Sequence, residues 1–304
     1  MEFVSIFVNL FPITLAQGLL YGFVAFGIMI PFRLLNFPDL SCEGTFALGG
    51  CLCATLLVMQ VPPWIAVTVS VAAGFAAGCT TALMHLHLKI NTLLAGILLV
   101  TMLWSIDLRI MGKSNVPLFT ESNLFDMIWA GFTRSVPTQI LSWGVLVLVC
   151  VGLTYWLMRT EVGLAFRAVG SNETMARSQG IGTARAIVVG LGLANALTAL
   201  AGATVAQIQG YADVAMGFGL LINGLAALII GEALTGRRSV LAQLAAPFVG
   251  SIVYYQVVSV GLAVGVNPSD LKLVTALFVI ATLGVPALRR ARQGAAATDR
   301  RLRT

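Results

Sequence analysis

The sequence predicts an all-α protein: a polytopic bundle of about nine transmembrane helices with one short helix on the cytoplasmic side. Three observations carry that prediction. The 304 residues are 58% hydrophobic and 10% charged, where soluble domains run at roughly 45–50% apolar and roughly 25% charged. Apolar runs of the roughly 20 residues that a bilayer crossing needs recur along the whole chain. The charges gather between those runs. No soluble domain and no internal repeat stands out, so residues 1–304 read as a single transmembrane unit.

The N-terminal stretch MEFVSIFVNLFP lacks the basic start of a cleaved signal peptide and is expected to stay in the mature chain. Spans are expected at 10–31, 44–60, 63–84, 92–110, 139–158, 184–206, 217–236, 240–264 and 271–288. The polar segment 111–138 should lie outside, with a short surface helix around NLFDMIWAGF. Small residues four apart, at Gly18 and Gly22, Gly74 and Gly78, and Ala199 and Ala203, let helix backbones approach closely in lipid. Bases at Arg33, Lys89, within 159–185, at Arg237 and Arg238 and in the tail 289–304 fall on one side of this map. The excess of Lys and Arg makes that side the cytoplasm. Glu121, Asp126, Asp213 and Asp270 fall on the other, with Lys113, Arg134 and Lys272. The expected placement is therefore multi-pass in a bacterial inner membrane, N-terminus outside and C-terminus cytoplasmic. The net charge of +6 is explained by this asymmetry and by contact with membrane lipid, and it calls for no nucleic-acid partner.

The stretch TEVGLAFRAVGSNETMARSQGIGTAR, residues 160–185, is unlike its surroundings: from Arg159 to Arg185 it carries four arginines and two glutamates. Ser171 is the expected N-cap, Glu173 sits in the first turn where the helix dipole favours an anion, and Gly180 suits the left-handed residue after a helix. About eight helical residues lie between them, roughly 12 Å, too short to span. The helix is expected to lie on the cytoplasmic surface, with Met175, Ala176 and Ile181 on its less polar side. Glycine breaks are expected at Gly163, Gly170, Gly180 and Gly182. An ordinary basic loop drawn to anionic lipid would instead scatter lysines. A capped helix bearing arginines reads as a docking element for a cytoplasmic partner.

A second stretch, GLLYGFVAFGIMIPFRLLNFPDLSCEGTFALGG at 18–50, contains a break. One helix should stop near Arg33 and another start near Phe37, with Asn36 as its cap and Pro38 and Asp39 in its first turn.

These two stretches carry a resemblance. RAVGSNETMARSQGI resembles the cytoplasmic loop of permease subunits of ABC importers in the branched-chain amino acid and ribose permease superfamily, which are type II-like importers. Those loops open with Arg-Ala, pass a small variable turn and continue M-A-x-x-x-G-I, matched here by Arg167, Ala168, Met175, Ala176, Gly180 and Ile181. The family's N-terminal pattern of glycines around Asn-Phe is similar to Gly18, Gly27, Asn36, Phe37, Gly44 and Gly49. The NFPDLS form is closest to a subgroup associated with amino-acid uptake, including aromatic amino acids. The resemblance implies a permease that rocks when partner subunits use ATP. Its coupling loop would comprise Arg167, Ala168, Ser171, Glu173, Met175, Ala176, Arg177, Gly180 and Ile181, docked in a cleft of an ATPase. It implies a second permease copy in a homodimer with the pathway between the copies, two cytoplasmic ATPase subunits that carry ATP and Mg, and a periplasmic solute-binding protein. Candidates for docking that protein are Arg109, Lys113, Arg134, Asp213, Asp270 and Lys272.

Other apparent motifs dissolve on inspection. GKS at 112–114 would need a glycine five residues before Gly112 to be a phosphate loop, and Asp107 stands there. GLGLAN at 190–195 lies inside an apolar helix, not between a strand and a helix. His85 and His87 alternate and point to different helix faces. Cys42, Cys51, Cys53, Cys79 and Cys150 lack metal-site spacing and read as small free apolar residues. This chain is therefore expected to bind no cofactor or metal itself and to be no enzyme. Polar residues inside spans are costly and functional by default. Asn36, Phe37, Asp39, Glu43 and Asn223 are the pathway candidates. Asn195 lies mid-helix, Glu232 near a cytoplasmic end, and Asp107 with Arg109 is expected as an outer-surface pair. An ion-coupled secondary transporter is the alternative, since the break at 33–37 fits its broken helices; the loop favours the importer. A membrane-embedded enzyme would need a His, Ser and acid constellation, and both histidines sit together at one span end.

Overall fold

The computed structural model describes residues 2–119, 121, 124, 136–236, 239–265, 273 and 277. Its elements are α1 (Glu2–Met29), a π-helical turn (Ile30–Leu34), α2 (Cys42–Val58), α3 (Pro63–Leu88), α4 (Thr92–Met111), β1 (Asn115–Pro117), α5 (Val136–Arg159), α6 (Glu161–Ser171), α7 (Glu173–Ser178), α8 (Thr183–Gln209), β2 (Tyr211–Asp213), α9 (Leu220–Thr235) and α10 (Val240–Ala263). Every expected span up to 240–264 coincides with a helix. Most of the span at 271–288 and of the surface helix at 123–132 lies outside the described residues, as does all of the basic tail. The fold is a polytopic helical bundle, with one addition to the all-α expectation. β1 and β2 pair antiparallel, Val116 opposite Ala212, and tie the end of α4 to the end of α8.

Among the described residues, six helices are long and apolar enough to cross a membrane: α1 from Asn9 on, α3, α4, α5, α8 and α10. The other two are short. α2 has 17 residues and α9 has 16, about 26 and 24 Å at 1.5 Å per residue, under the ~30 Å of a hydrocarbon core. Each is preceded by a non-helical segment: residues 35–41, mostly buried, and residues 214–219, where Val214 and Gly217 are buried and Ala215 and Phe218 are exposed.

Sequence explains the local choices. Pro31 has no N–H to donate, so α1 does not close as a regular α-turn. It widens, with Leu35 N donating to Ile30 O at 3.1 Å and Phe37 N to Pro31 O at 2.8 Å. Asn36 then turns the chain with φ 51, a conformation Asn tolerates. The expected helix start at Phe37 with Asn36 as cap is overturned: α2 begins at Cys42. Pro38 disfavours helical geometry at Phe37, and Asp39, not Asn36, turns its carboxylate onto the backbone, Oδ1 accepting from Ser41 N at 2.8 Å.

α8 is the axis of the bundle, buried on most sides and packed by α1, α2 and α3. A Cβ added at Gly74 or Gly78 of α3 would strike Ala199, Asn195 or Leu191 of α8, and one at Gly49 or Gly202 would strike the facing backbone between α2 and α8. α1 meets α10 closely in the same way, Gly18 against Ile252 and Gly22 against Phe248. The small-residue spacing therefore marks real close approaches. α4 lies outside α2 and α3, and α5 is peripheral, with Leu148, Leu153 and Trp156 all exposed.

Candidate functional site

At one end of the bundle lie Arg33, Lys89 and the segment Arg159–Arg185, beside the end of α9, where Arg33 Nη2 meets Glu232 Oε2 at 2.7 Å. The paired strands mark the opposite end. The loop at the first end is two helices, not one. α6 packs Gly163, Phe166 and Val169 inward. Its Arg167 donates through Nη2 to Met158 O at 2.8 Å, clamping α6 to the last turn of α5. Ala168, next to it, is half-buried against the core. Gly163 and Gly170 are not breaks: both are helical, and a Cβ at Gly170 would strike the Leu34 carbonyl. Gly182, at φ −71, caps the start of α8.

α7 is six residues long, about 9 Å. Asn172 is its N-cap, Oδ1 accepting from Met175 N at 2.9 Å, so the expected cap at Ser171 is corrected by one residue; Ser171 ends α6 and is exposed. The C-terminal expectation holds. Gly180 has φ +80, its N–H bonds Arg177 O at 3.0 Å, and Ile181 N–H bonds Ala176 O at 3.1 Å. Those two bonds are the paired closure of a Schellman motif. Ala176 is buried at 3% exposure and Ile181 packs against the core, so α7 is pinned inward. Met175, expected beside them, is corrected: it stands 62% exposed, with Val162 and Leu164 of α6 also exposed. Glu173 and Arg177 pair across one turn at 3.2 Å on the exposed side.

A polar cluster is buried between the start of α2 and the middle of α8. Asn195 Nδ2 donates to Asp39 Oδ2 at 3.0 Å, the Ser41 hydroxyl donates to the same oxygen at 2.7 Å, and the Thr45 hydroxyl donates to Asn195 Oδ1 at 2.7 Å. Thr198 Oγ1 lies 2.8 Å from Thr45 Oγ1. Asp39, Ser41, Thr45, Asn195 and Thr198 are all fully buried. The sequence singled out Asp39 and Asn195 separately; Ser41, Thr45 and Thr198 were missed, and only their three- and four-residue spacing on helix faces marks them. Phe37 packs edge-on against His85, while Asn36 is exposed at the loop end.

The other pathway candidates lie where α9 begins. Glu43 Oε1 accepts from Gly219 N at 3.1 Å and Leu221 N at 3.2 Å, so α2 and α9 are joined end to end inside the bundle. Asp107, expected to pair with Arg109 on the surface, does not: Asp107 is 1% exposed and Arg109 is exposed. Residues two apart on a helix point apart. Asp107, Glu43, Trp104 and Phe218 line one small cavity. Asn223 Oδ1 accepts from the Tyr254 hydroxyl at 2.9 Å and lines a second cavity with Tyr21, Ser251 and Tyr255.

Among the docking candidates, Arg109 and Lys113 are exposed at the strand end. Asp213 is engaged in the fold, accepting from Ala215 N at 2.7 Å and Asn115 Nδ2 at 3.2 Å. Arg134, Asp270 and Lys272 lie outside the described residues.

Residues 11–283 match the family described as the permease component of branched-chain amino acid transport systems. The chain is 35% identical over 269 residues, covering 88% of each protein, to a tyrosine transport system permease protein of Clostridioides difficile. It is 27% identical to a ribose import permease protein of Escherichia coli strain K12, over 73% of this chain and 68% of that one. A fructose import permease protein of Bifidobacterium longum is 23% identical over 80% of this chain and 67% of its own length. No solved structure matches the chain significantly.

Proposed function

This chain belongs to the family of permease components of branched-chain amino acid transport systems, and from that premise we propose that it is the membrane subunit of an ATP-driven importer for amino acids or a similar small polar solute. The relative named for tyrosine supports an aromatic amino acid as that solute. The observation that carries the reading is α7: a short helix capped at both ends, pinned by buried Ala176, with Met175 held out. Such an element transmits a push instead of absorbing it.

The rest of the assembly follows as part of the proposal. The end bearing 159–185 faces the cytoplasm, with the N-terminus outside and the C-terminus inside. A partner ATPase binds ATP and Mg, and this chain supplies no phosphate loop. Two copies of the chain form the pathway, and a periplasmic binding protein delivers solute to the strand end. When the ATPase pair closes, its movement reaches α6 and α7 through Met175 and the exposed apolar residues of α6. The Arg167 clamp passes it to α5, the close contact of Gly170 with Leu34 passes it to α1, and Ile181 leads it into α8.

Co-expression of the chain with candidate ATPase and binding-protein genes tests this. A binding protein loaded with its solute should stimulate ATP hydrolysis by the complex. Robust, specific ATP hydrolysis by the purified chain alone would overturn the assignment.

A further inference from the structure

We propose that Glu43 and Asp107 form a binding site for one small positively charged group: the ammonium group of the carried solute or a monovalent metal cation such as Na⁺. The ammonium source rests on the importer reading above; the site itself rests on geometry.

Asp107 is 1% exposed, and neither carboxylate oxygen has a hydrogen-bond donor among the described residues. A carboxylate in that state is among the costliest groups a bundle can hold in a membrane. The same helix could carry an apolar residue at no such cost. A small donor or cation entering beside the acid would supply what it lacks.

The second acid sits in the same cavity. Glu43 is fixed with Oε1 on two backbone N–H groups at the start of α9. The exposed N–H groups at a helix N-terminus are a favourable seat for a carboxylate oxygen. Two acids thus line one cavity, one seated on backbone donors and one with none, and a positive charge between them would satisfy both. The cavity has room for about one water-sized group, which suits a bare cation or a primary ammonium. Val100 and Val214 supply apolar wall, and Trp104 and Phe218, which also line the cavity, stack on each other at 5.2 Å. Aromatic faces attract cations and exclude anions. Asp39, the other fully buried acid among the described residues, has its partners in Ser41 and Asn195; Asp107 has none there.

Thermal unfolding of the purified full-length permease in choline chloride, titrated with NaCl or with methylammonium chloride, tests the site. At least one titration should raise the midpoint saturably, as a ligand of the native state does. Asp107→Asn and Glu43→Gln should each weaken the apparent affinity by roughly tenfold or more, about 1.4 kcal/mol per factor of ten. Saturation by methylammonium identifies the ammonium source, and saturation by Na⁺ without methylammonium identifies the metal cation. Equal, unsaturable responses in the wild type and both variants overturn the proposal and leave Asp107 a neutral protonated acid. A second measurement needs no variant. A hydrophobic carbodiimide modifies protonated membrane carboxyls, and peptide mass spectrometry follows its reaction at Asp107. The effective cation should slow that reaction; labelling at a rate indifferent to both cations overturns the site. Neither readout involves an ATPase or a binding protein, so failure here is distinct from failure of the importer reading.

Discussion

The loop at 159–185 and the breaks at 35–41 and 214–219 both interrupt the helices, by opposite means. The loop is built from near neighbours: Asn172 caps a helix three residues on, Gly180 closes it, and Arg177 reaches one turn back to Glu173. The interior breaks are closed by residues far apart in sequence. Asn195 meets Asp39 across 156 positions, and Glu43 meets Leu221 across 178. A local device can be altered without disturbing the bundle, whereas a long-range one cannot. The loop is therefore suited to meeting a partner, and the interior to holding a pathway open or shut.

The largest expected effect breaks the interior. Asn195→Leu removes a donor from buried Asp39 and an acceptor from Thr45, and stability should fall by about 3 kcal/mol or more. Thermal unfolding in detergent measures it. If the midpoint is unchanged, the cluster does not hold the start of α2 to the middle of α8. Ala176→Asp comes next. The sequence put Ala176 on the helix's less polar side and within the docking loop; the first holds, and the residue is buried within the chain. The new carboxylate would lack a partner at a cost of about 1–3 kcal/mol. Lost ATPase binding by this variant would therefore accompany lost folded permease, visible as reduced recovery in size-exclusion chromatography.

What the sequence made legible follows the same division. Gly180 and Asn36 both stand at left-handed positions, and each was noticed as a chain break. Gly180 was read correctly because the helix it ends is local. Asn36 was read as a cap because Pro38 and Asp39 follow it, an arrangement that also starts helices. The outcome turned on Pro38 restraining Phe37 and on Asp39 folding back to Ser41, with Asn195 arriving from α8 to complete the set. No local pattern announces such a partner. The same holds for 214–219: the apolar run suggested a span from 217, yet α9 starts at Leu220, where Glu43 occupies its first N–H groups. Asp107 could be seen as an acid near a span end, but its lack of a donor is a property of the packed bundle alone.

Two substitutions sharpen the loop side. Gly180→Val places a β-branched residue at φ +80 and should cost about 1–2 kcal/mol locally, loosening α7 from its base. Co-purification of the ATPase should drop more than the unfolding midpoint does, since the bundle below is intact. Met175→Asp should leave stability within about 0.5 kcal/mol, because the side chain is 62% exposed. Loss of the ATPase from this variant, at equal membrane expression, is the direct sign that α7 docks. Full retention of the partner by both variants would sink the coupling role of the loop.

The smallest expected effect is the most useful control. Arg177 and Glu173 form an exposed pair one turn apart, with side chains 70% and 47% exposed. Such pairs contribute about 0.3–0.5 kcal/mol and are screened by salt. Arg177→Gln also removes a long contact of 3.4 Å to the Thr183 hydroxyl, which is weak at that distance. The caps of α7 do not involve this side chain, so the helix should stay formed. ATPase co-purification should then be nearly that of the wild type, and far above Met175→Asp. A basic loop held only by anionic lipid predicts the reverse order, because charge alone would matter there and Met175 carries none. Measuring both variants in vesicles with and without anionic lipid separates the two. If Arg177→Gln loses as much ATPase as Met175→Asp, and does so only where anionic lipid is present, the loop is a lipid anchor and the local capping of α7 serves no coupling.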